Sequence, residues 1–186
     1  MRVVGGKKRG TQLIGFEREE VRPTLDRVKE SMFDIIQFAK MENAVDLFAG
    51  TGQLGIEALS RGADHVVFCD NAPEAVEIVR KNLKKTDLAA GARVLTCDYK
   101  RFLKYEADRE YDVIFVDPPY HTGLSDRALK QIGQLPVLAK TGIVVVETAR
   151  DEAKPESEGN LILRRRYDYG TVSVWIYVRN DREDEE

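Results

Sequence analysis

Short apolar runs alternate with amphipathic stretches through most of this chain, and this alternation restricts the possible folds more than any other feature. Five runs have the length and β-branched content of buried strands: "AVDLF" (44–48), "HVVFC" (65–69), "RVLTC" (93–97), "YDVIFV" (111–116) and "GIVVVE" (142–147). The stretches between them predict helices. Strands that alternate with helices form right-handed βαβ units, so the sequence predicts an α/β fold with a mostly parallel sheet.

The two ends of the chain depart from this alternation. Residues 1–21 contain two β-rich runs around the basic "GGKKRG", which predicts a hairpin extension ahead of a first helix capped by Thr24. Residues 160–179 form two β-rich runs with a turn between them, which predicts a closing hairpin. The polar stretch 148–160 predicts an exposed connection. We therefore expect one domain over residues 1–179, followed by a disordered acidic tail at 180–186.

Composition narrows the class of protein without deciding the function. The 186 residues include no apolar run long enough to span a membrane, which predicts a cytoplasmic protein. Cys69 and Cys97 lack metal-site spacing, so we expect reduced thiols and no metal. The net charge is −3, but the last six residues carry −4 and leave +1 for the rest. This balance permits an anionic partner without requiring one.

A glycine-rich loop follows the first predicted strand. Gly50, Gly52 and Gly55 have the spacing of a dinucleotide-binding turn, between a strand and a helix. Asp70 ends the next strand, twenty residues after Gly50, where a carboxylate would accept both ribose hydroxyls. The loop therefore predicts a site for an adenosine-containing ligand, and to this point a nicotinamide dinucleotide fits equally well.

Three further features favour a different adenosine ligand. Asp46 lies inside the end of the first predicted strand, where its charge would favour a cationic sulfonium or ammonium group over a pyrophosphate. Asp98 follows the third strand, in a position to receive the amine of adenine, although taken alone it is more readily explained as a helix cap. The fourth strand ends in Asp117-Pro118-Pro119-Tyr120.

The Asp-Pro-Pro-Tyr motif suits chemistry on an exocyclic amine. The two prolines fix the backbone and lack N–H donors, so acceptors face outward. The Asp117 carboxylate and the Pro118 carbonyl can then accept both hydrogens of an –NH2 group and position its nitrogen for attack. Tyr120 offers a flat surface for a flipped base, which is worth about 1–3 kcal/mol.

In the order of these motifs the chain resembles class I S-adenosylmethionine-dependent methyltransferases, and more narrowly the RsmD family of bacterial 16S ribosomal RNA guanine-N2 methyltransferases. The resemblance covers roughly residues 1–179 and is carried by "RVVGGKKRGTQL", "RPTLDRVKESMF" (22–33), "DLFAGTGQLGIEALSRGA" (46–63) and "DPPY". It implies a Rossmann-like sheet of seven strands, mostly parallel with an antiparallel last strand, preceded by the hairpin and a helix. The sequence departs from the family pattern at Leu25 and Gln53.

The resemblance also implies roles for individual residues. S-adenosylmethionine would be held by Asp46, Phe48, Gly50 and Gly52 at its methionine end, by Asp70 and Asn71 at the ribose, and by Asp98 and Tyr99 at the adenine. The target guanine of 16S rRNA would meet Asp117, Pro118, Pro119 and Tyr120. Arg22, Thr24 and Arg27 would border the active site, and Lys7, Lys8 and Arg9 would contact phosphates, although a solvated turn explains these last three equally well.

Other functions remain open from the sequence. Adenine N6 or a protein glutamine amide is a possible target of the same fold and motif. A NAD-dependent oxidoreductase would explain the glycines and Asp70 but neither Asp46 nor the Asp-Pro-Pro-Tyr motif. A non-catalytic RNA-binding assembly factor is a third class. For the RNA reading we expect a substrate within the small ribosomal subunit, and nothing demands more than a monomer.

Overall fold

The computed structural model describes residues 1–16 and 23–180, with side chains omitted for 23–25. Within these residues, five α-helices and seven of the eight strands follow the predicted order, and the short strand at Ser157–Glu158 was not predicted. The helices are α1 (Pro23–Ile35), α2 (Gln53–Ser60), α3 (Pro73–Thr86), α4 (Tyr99–Arg101) and α5 (Leu124–Ile132). The strands are β1 (Asn43–Asp46), β2 (His65–Asp70), β3 (Ala92–Thr96), β4 (Tyr111–Val116), β5 (Leu138–Ala149), β6 (Ser157–Glu158), β7 (Leu161–Tyr169) and β8 (Val172–Arg179).

All eight strands belong to one sheet in the order β3-β2-β1-β4-β5-β8-β7-β6. The first five pair in parallel, whereas β8 lies antiparallel to both of its neighbours, β5 and β7. The predicted α/β class and the antiparallel last strand are therefore confirmed. The chain reverses its direction across the sheet between β1 and β4, and ligands of such sheets bind at this switch point, beyond the carboxyl ends of the strands.

Apolar side chains cover both faces of the sheet. Along β4, Val113 and Phe115 pack into one cluster and Ile114 and Val116 into the other. A strand buried on both faces needs a continuous apolar run instead of alternation, which is why "YDVIFV" was recognisable in the sequence. The two layers hold the sheet rigid beneath its loops.

The stretch 148–160 differs from the exposed loop that its polar composition predicted. β5 continues through Thr148 to Ala149. Residues 157–158 form the short strand β6 at the sheet edge, which the sequence did not predict. The side chain of Lys154 is 1% exposed and its Nζ lies 3.1 Å from a carboxylate oxygen of Asp126. Ion pairing with Asp126 and Glu152 lets the Lys154 ammonium group be buried here, and composition alone does not reveal such partners.

The amino-terminal arm, defined here as residues 1–16, folds back on itself as a short, irregular hairpin, in which the Val3 N–H donates to the Thr11 carbonyl at 3.0 Å. Its two halves join at one antiparallel bridge between Arg2 and Gln12, with a short 3-10 turn over Gly6–Lys8. Most of its polar contacts are made with α2 and α3. Asn82, on α3, receives the Ile14 N–H at 2.7 Å and donates to the carbonyls of Ile14 and Thr51, so one buried amide joins the arm to the glycine-rich loop.

A buried ionic cluster fixes the other half of the arm. Glu57 on α2 is 0% exposed and accepts the Val4 N–H at 2.9 Å. Its carboxylate also lies 3.7 Å from Lys29 Nζ and 2.8 Å from Arg61 Nε. Lys29 in turn donates to the Arg2 carbonyl at 2.6 Å. Two cations on one buried carboxylate make the arm an integral part of the fold.

Glu57→Gln is expected to destabilise the protein and release the arm. The amide leaves Lys29 and Arg61 without their buried countercharge, and breaking a buried pair costs about 3–5 kcal/mol. Urea unfolding measures the loss, and hydrogen exchange at Val4 reports on the arm. Glu77→Gln, on an exposed position of α3, removes the same charge and should stay within about 0.5 kcal/mol of wild type. Equal effects of the two variants would contradict the structural role of Glu57.

Candidate active site

One large cavity opens at the carboxyl edge of the sheet, above the switch point between β1 and β4. Its volume is about 1420 Å³, which exceeds the 300–1,000 Å³ typical of a site for one small ligand. The strand-end aspartates, the glycine-rich loop and the Asp-Pro-Pro-Tyr motif all line it, together with Gln12, Leu13, Gly15 and Phe16 of the arm. The cavity therefore joins the two sites that the sequence predicted separately.

The glycine-rich loop has the backbone geometry that its glycines predicted. Gly50 and Gly52 have φ of 54° and 81°, in the left-handed region that side chains disfavour. A Cβ on Gly50 would point into open space. A Cβ on Gly55 would lie 2.3 Å from the Phe68 ring, so this glycine permits close packing of α2 against β2.

Asp46 is a buried carboxylate with incomplete hydrogen bonding. Its Oδ2 accepts the Gly55 N–H at 3.3 Å, whereas Oδ1 is buried without a partner among the described residues. Burial is the main cause that raises the pKa of Asp46 to about 7, and the nearby Asp70 charge adds to it. A positively charged group in the cavity would stabilise the ionised form.

Asp70 and Asp98 organise the backbone around the cavity. Asp70 accepts the N–H groups of Gly50 and Ala72, both at 2.9 Å, one on each carboxylate oxygen. Asp98 caps α4 by accepting the Arg101 N–H at 2.8 Å, as its alternative reading in the sequence suggested. Both carboxylates still line the cavity, and each oxygen can accept more than one hydrogen bond.

An aromatic pair forms part of the cavity wall between these aspartates. The rings of Phe48 and Tyr99 pack with centroids 5.2 Å apart and planes at 40°. The Tyr99 hydroxyl is buried without a hydrogen-bond partner among the described residues, and so is Gln53 Oε1. Asn71 also lines the cavity and is exposed. Unpartnered polar atoms in a cavity wall can hydrogen-bond to a ligand or to water.

The Asp-Pro-Pro-Tyr motif leaves β4 at the same edge. Pro118 is buried and Pro119 is exposed, with the Pro119 carbonyl accepting the Thr122 hydroxyl at 2.7 Å. Tyr120 is 38% exposed, and its hydroxyl donates to Glu147 Oε1 at 2.7 Å. This bond anchors the tip of the tyrosine while leaving part of its ring accessible from the cavity.

Glu147 is an acidic residue of the cavity that the sequence analysis did not select. It lies in β5 beside the end of β4, because Val116 pairs with Val146 in parallel register and Asp117 and Glu147 come next. Burial and the Glu147 charge raise the pKa of Asp117 well above its usual value. Burial likewise raises the pKa of Glu147, against the lowering effect of the Tyr120 hydroxyl. Its only sequence signal was its place at the end of "GIVVVE".

Of the predicted RNA-contacting residues, the four whose side chains are described do not line the cavity. Lys7, Lys8 and Arg9 lie at the tip of the arm, where Ser60 accepts the Lys8 N–H at 2.9 Å. That contact is at the far end of α2, about 12 Å along the helix from the glycine-rich loop. Arg27 is exposed on α1. Arg22 and the side chain of Thr24 lie outside the described residues.

Two cations that the sequence reasoning did not select lie at the cavity instead. Lys100 and Arg127 line it, and the guanidinium of Arg127 donates to the Thr122 carbonyl at 3.1 Å. The carboxylates Asp46, Asp70, Asp98, Asp117 and Glu147 also line it. Among the described residues the wall therefore has more acidic than basic groups, which favours a cationic ligand.

The described residues also bear on thiol chemistry, metal binding and membrane crossing. Cys69 and Cys97 are free thiols with their sulfurs 3.3 Å apart. Within residues 1–16 and 23–180, no group of three or more His, Cys, Asp or Glu is placed to hold a metal ion. None of the helices in the described ranges has the length and apolar character needed to cross a membrane.

Comparison with known proteins shows similarity along the chain. The family model described as Conserved hypothetical protein 95 matches residues 1–178. YlbH of Bacillus subtilis, provisionally named an rRNA methyltransferase, is 40% identical over 96% of this chain and 99% of its own. Ribosomal RNA small subunit methyltransferase D of Escherichia coli strain K12 is 31% identical over 96% and 90%. The solved structure of Escherichia coli yhhF, provisionally titled a methyltransferase, superposes with a TM-score of 0.83 at 28% identity, covering 96% and 97%.

Asp46→Asn is expected to stabilise the ligand-free protein at neutral pH. A carboxyl with a raised folded pKa destabilises the fold increasingly from its unfolded value of 3.8 up to about 7. The gain in free energy of unfolding should therefore grow between pH 5 and 7, reach about 1–4 kcal/mol and level off above that. Urea unfolding at each pH measures it. Asp64→Asn, at an exposed position, removes the same charge as a control, and a pH-independent gain at Asp46 would refute the assignment.

Proposed function

The chain belongs to the RsmD family of ribosomal RNA methyltransferases, and on that premise we propose that it methylates the exocyclic N2 amine of a guanine in 16S rRNA, using S-adenosylmethionine. The observation that carries this proposal is the single cavity that combines an acidic, glycine-lined half with the Asp-Pro-Pro-Tyr motif. Its volume leaves room for a cofactor and a flipped base together. The same observation supports an enzyme over a non-catalytic assembly factor.

The residues at the acidic half fit S-adenosylmethionine. The unpartnered atoms of Asp46, Gln53 and Tyr99 provide acceptors and a donor for the polar groups of such a ligand. Asp46, Phe48, Gly50 and Gly52 would hold its methionine end, Asp70 and Asn71 its ribose, and Asp98 and Tyr99 its adenine. When bound, S-adenosylmethionine supplies a methyl group activated by a positively charged sulfonium. The excess of carboxylates favours that charge.

The motif residues would orient the guanine amine for attack. The N2 lone pair is delocalised into the ring, so the amine is a poor nucleophile until it is held in place. Asp117 and the Pro118 carbonyl accept its two hydrogens, and the ring of Tyr120 stacks on the base. Pro119 keeps this turn rigid and offers no N–H that would compete for the acceptors. Positioning and preorganised acceptors therefore provide most of the rate enhancement.

The proton released by the reaction can leave through Asp117. Methyl transfer makes the amine nitrogen cationic, which acidifies its remaining hydrogens. Asp117 already contacts one of them in this arrangement and can accept it. Burial beside Glu147 raises the pKa of Asp117, and a more basic carboxylate is a better proton acceptor.

The RNA would approach the open mouth of the cavity. Lys100 and Arg127 lie there and can contact phosphates next to the flipped base. Lys7, Lys8 and Arg9 would contact a more distant part of the RNA, and Arg22, Thr24 and Arg27 would border the site. Because the basic surface is modest, we propose the small ribosomal subunit, assembled or assembling, as the substrate, methylated by a monomer in the cytoplasm.

Cofactor choice can be tested by thermal unfolding. S-adenosylhomocysteine at 100 times its dissociation constant should stabilise the protein by about 2.7 kcal/mol, and the melting temperature should rise. NAD at the same concentration should have no effect, because its pyrophosphate meets the negative wall. Gly50→Val should abolish the shift, because valine disfavours the left-handed backbone at this position and its side chain would occupy the cavity. A shift with NAD alone would instead indicate the oxidoreductase.

Methyl transfer tests the reaction itself. Small subunits lacking this modification are incubated with labelled S-adenosylmethionine, and the RNA is digested to nucleosides. We expect label in N2-methylguanosine and a loss of about 100- to 1,000-fold in rate for Asp117→Ala. Asp151→Ala, which removes an exposed carboxylate outside the cavity, serves as the matched control and should retain activity.

The other outcomes of this assay discriminate between the remaining functions. Label in N6-methyladenosine would overturn the guanine assignment while keeping the motif chemistry. Label in protein would point to a glutamine amide. No transfer to subunits or free RNA, despite cofactor binding, would favour the assembly factor.

A further inference from the structure

The carboxylate of Glu147 has no role in gripping the amine, yet it lies beside the residue that does. Adjacent parallel strands are about 4.8 Å apart, and the β4–β5 register puts Asp117 and Glu147 next to each other. Both side chains line the cavity. A base whose amine contacts Asp117 therefore presents its neighbouring ring atom towards Glu147.

The hydrogen bonding of Glu147 leaves capacity for a ligand. Its side chain is buried, with the residue 8% exposed, and its Oε1 accepts the Tyr120 hydroxyl. Each carboxylate oxygen has two lone pairs, so Oε2 can accept a further donor. A buried carboxylate is costly unless donors satisfy it, and a donor on the substrate would meet that need.

Guanine and adenine differ at the ring atom beside the reactive amine. Guanine has a protonated N1 next to its N2 amine, so the two groups offer adjacent donors. Adenine has an unprotonated N1 next to its N6 amine, and its lone pair would face the carboxylate. Placed in the same grip, guanine gains a charge-assisted hydrogen bond, whereas adenine meets repulsion and leaves Glu147 unsatisfied.

We propose that Glu147 determines the specificity for guanine by accepting a hydrogen bond from guanine N1–H while Asp117 and the Pro118 carbonyl hold the N2 amine. This inference rests on the proposed function, since it requires the Asp-Pro-Pro-Tyr motif to grip a nucleobase. Under this proposal the residues that follow β4 position the reacting amine, and Glu147 in β5 recognises the base.

A purely structural role for Glu147 makes a different prediction. If it only anchored the tip of Tyr120, then Tyr120→Phe, which keeps the ring and removes the hydroxyl, would reproduce every effect of changing Glu147. If Glu147 contacts the base, Tyr120→Phe should lower activity equally on all bases. The two roles therefore separate in substrate preference, although not in overall rate.

The test compares guanine with 2-aminopurine at the nucleotide that the wild-type protein methylates. 2-Aminopurine keeps the amine at position 2 but has an unprotonated N1. Small subunits are reconstituted with RNA carrying either base, and kcat/KM is measured for wild type, Glu147→Gln, Tyr120→Phe and Glu152→Gln. Glu152 accepts the His121 N–H outside the cavity, so its variant removes a nearby carboxylate as the matched control.

The glutamine variant should change the ratio of the two rates. Its amide oxygen can still accept the Tyr120 hydroxyl, which leaves the amide NH2 to face the base and favour the N1 acceptor of 2-aminopurine. We expect the guanine to 2-aminopurine ratio of kcat/KM to fall about 10- to 100-fold, and to stay near the wild-type value in Tyr120→Phe and Glu152→Gln. The two amines differ in intrinsic reactivity by the same factor for every variant, so this difference cancels when the ratios of the variants are compared.

Each other result has a definite meaning. Methylation of guanine N2 with the same ratio in Glu147→Gln and wild type would overturn this inference and leave the proposed function intact. A ratio shifted equally in Tyr120→Phe would also overturn it, in favour of the anchoring role. If wild-type protein does not methylate guanine N2, the proposed function and the specificity role of Glu147 fall together.

Discussion

A parallel sheet brings the carboxyl ends of its strands to one edge, and the active half of this molecule depends on that constraint. Four acidic residues lie at this edge: Asp46 and Asp70 end β1 and β2, Asp117 directly follows β4, and Glu147 lies two residues before the end of β5. They are far apart in the chain, and only strand order makes them neighbours. The two apolar layers hold that order in place, so the geometry of the cavity is a property of the whole core.

Burying carboxylates is unfavourable, and burial raises the pKa values of Asp46, Asp117 and Glu147. Neighbouring carboxylate charges raise those of Asp46 and Asp117 further. Bound ligands that supply positive charge or hydrogen-bond donors would relieve this cost. The ligand-free protein is therefore less stable than its core alone would make it, and ligand binding would recover part of that free energy of unfolding. The arm contributes by closing one side of the cavity, and the Glu57 cluster and Asn82 keep it there.

The strand-end aspartates could be recognised from the sequence because each follows an apolar run, and the glycines because their spacing belongs to one kind of turn. Glu147 also follows such a run, but its significance depends on β5 lying beside β4, which local patterns do not specify. The same limit applies to Lys154, buried in a stretch whose composition looked exposed. In the sequence Asn82 is an ordinary residue of a predicted helix, and its role depends on its contacts with the arm. Local chemistry was predictable, and pairing between distant segments was not.

The position of β8 in the sheet has a consequence for how the chain acquires its structure during synthesis. β5 pairs on one side with β4 and on the other with β8, not with β7. When residues 138–149 have left the ribosome, one edge of an apolar strand stays open until residues 172–179 follow and insert between β5 and β7. An open edge of this kind can pair with other chains. The nascent protein is thus most prone to aggregation just before its final strand emerges.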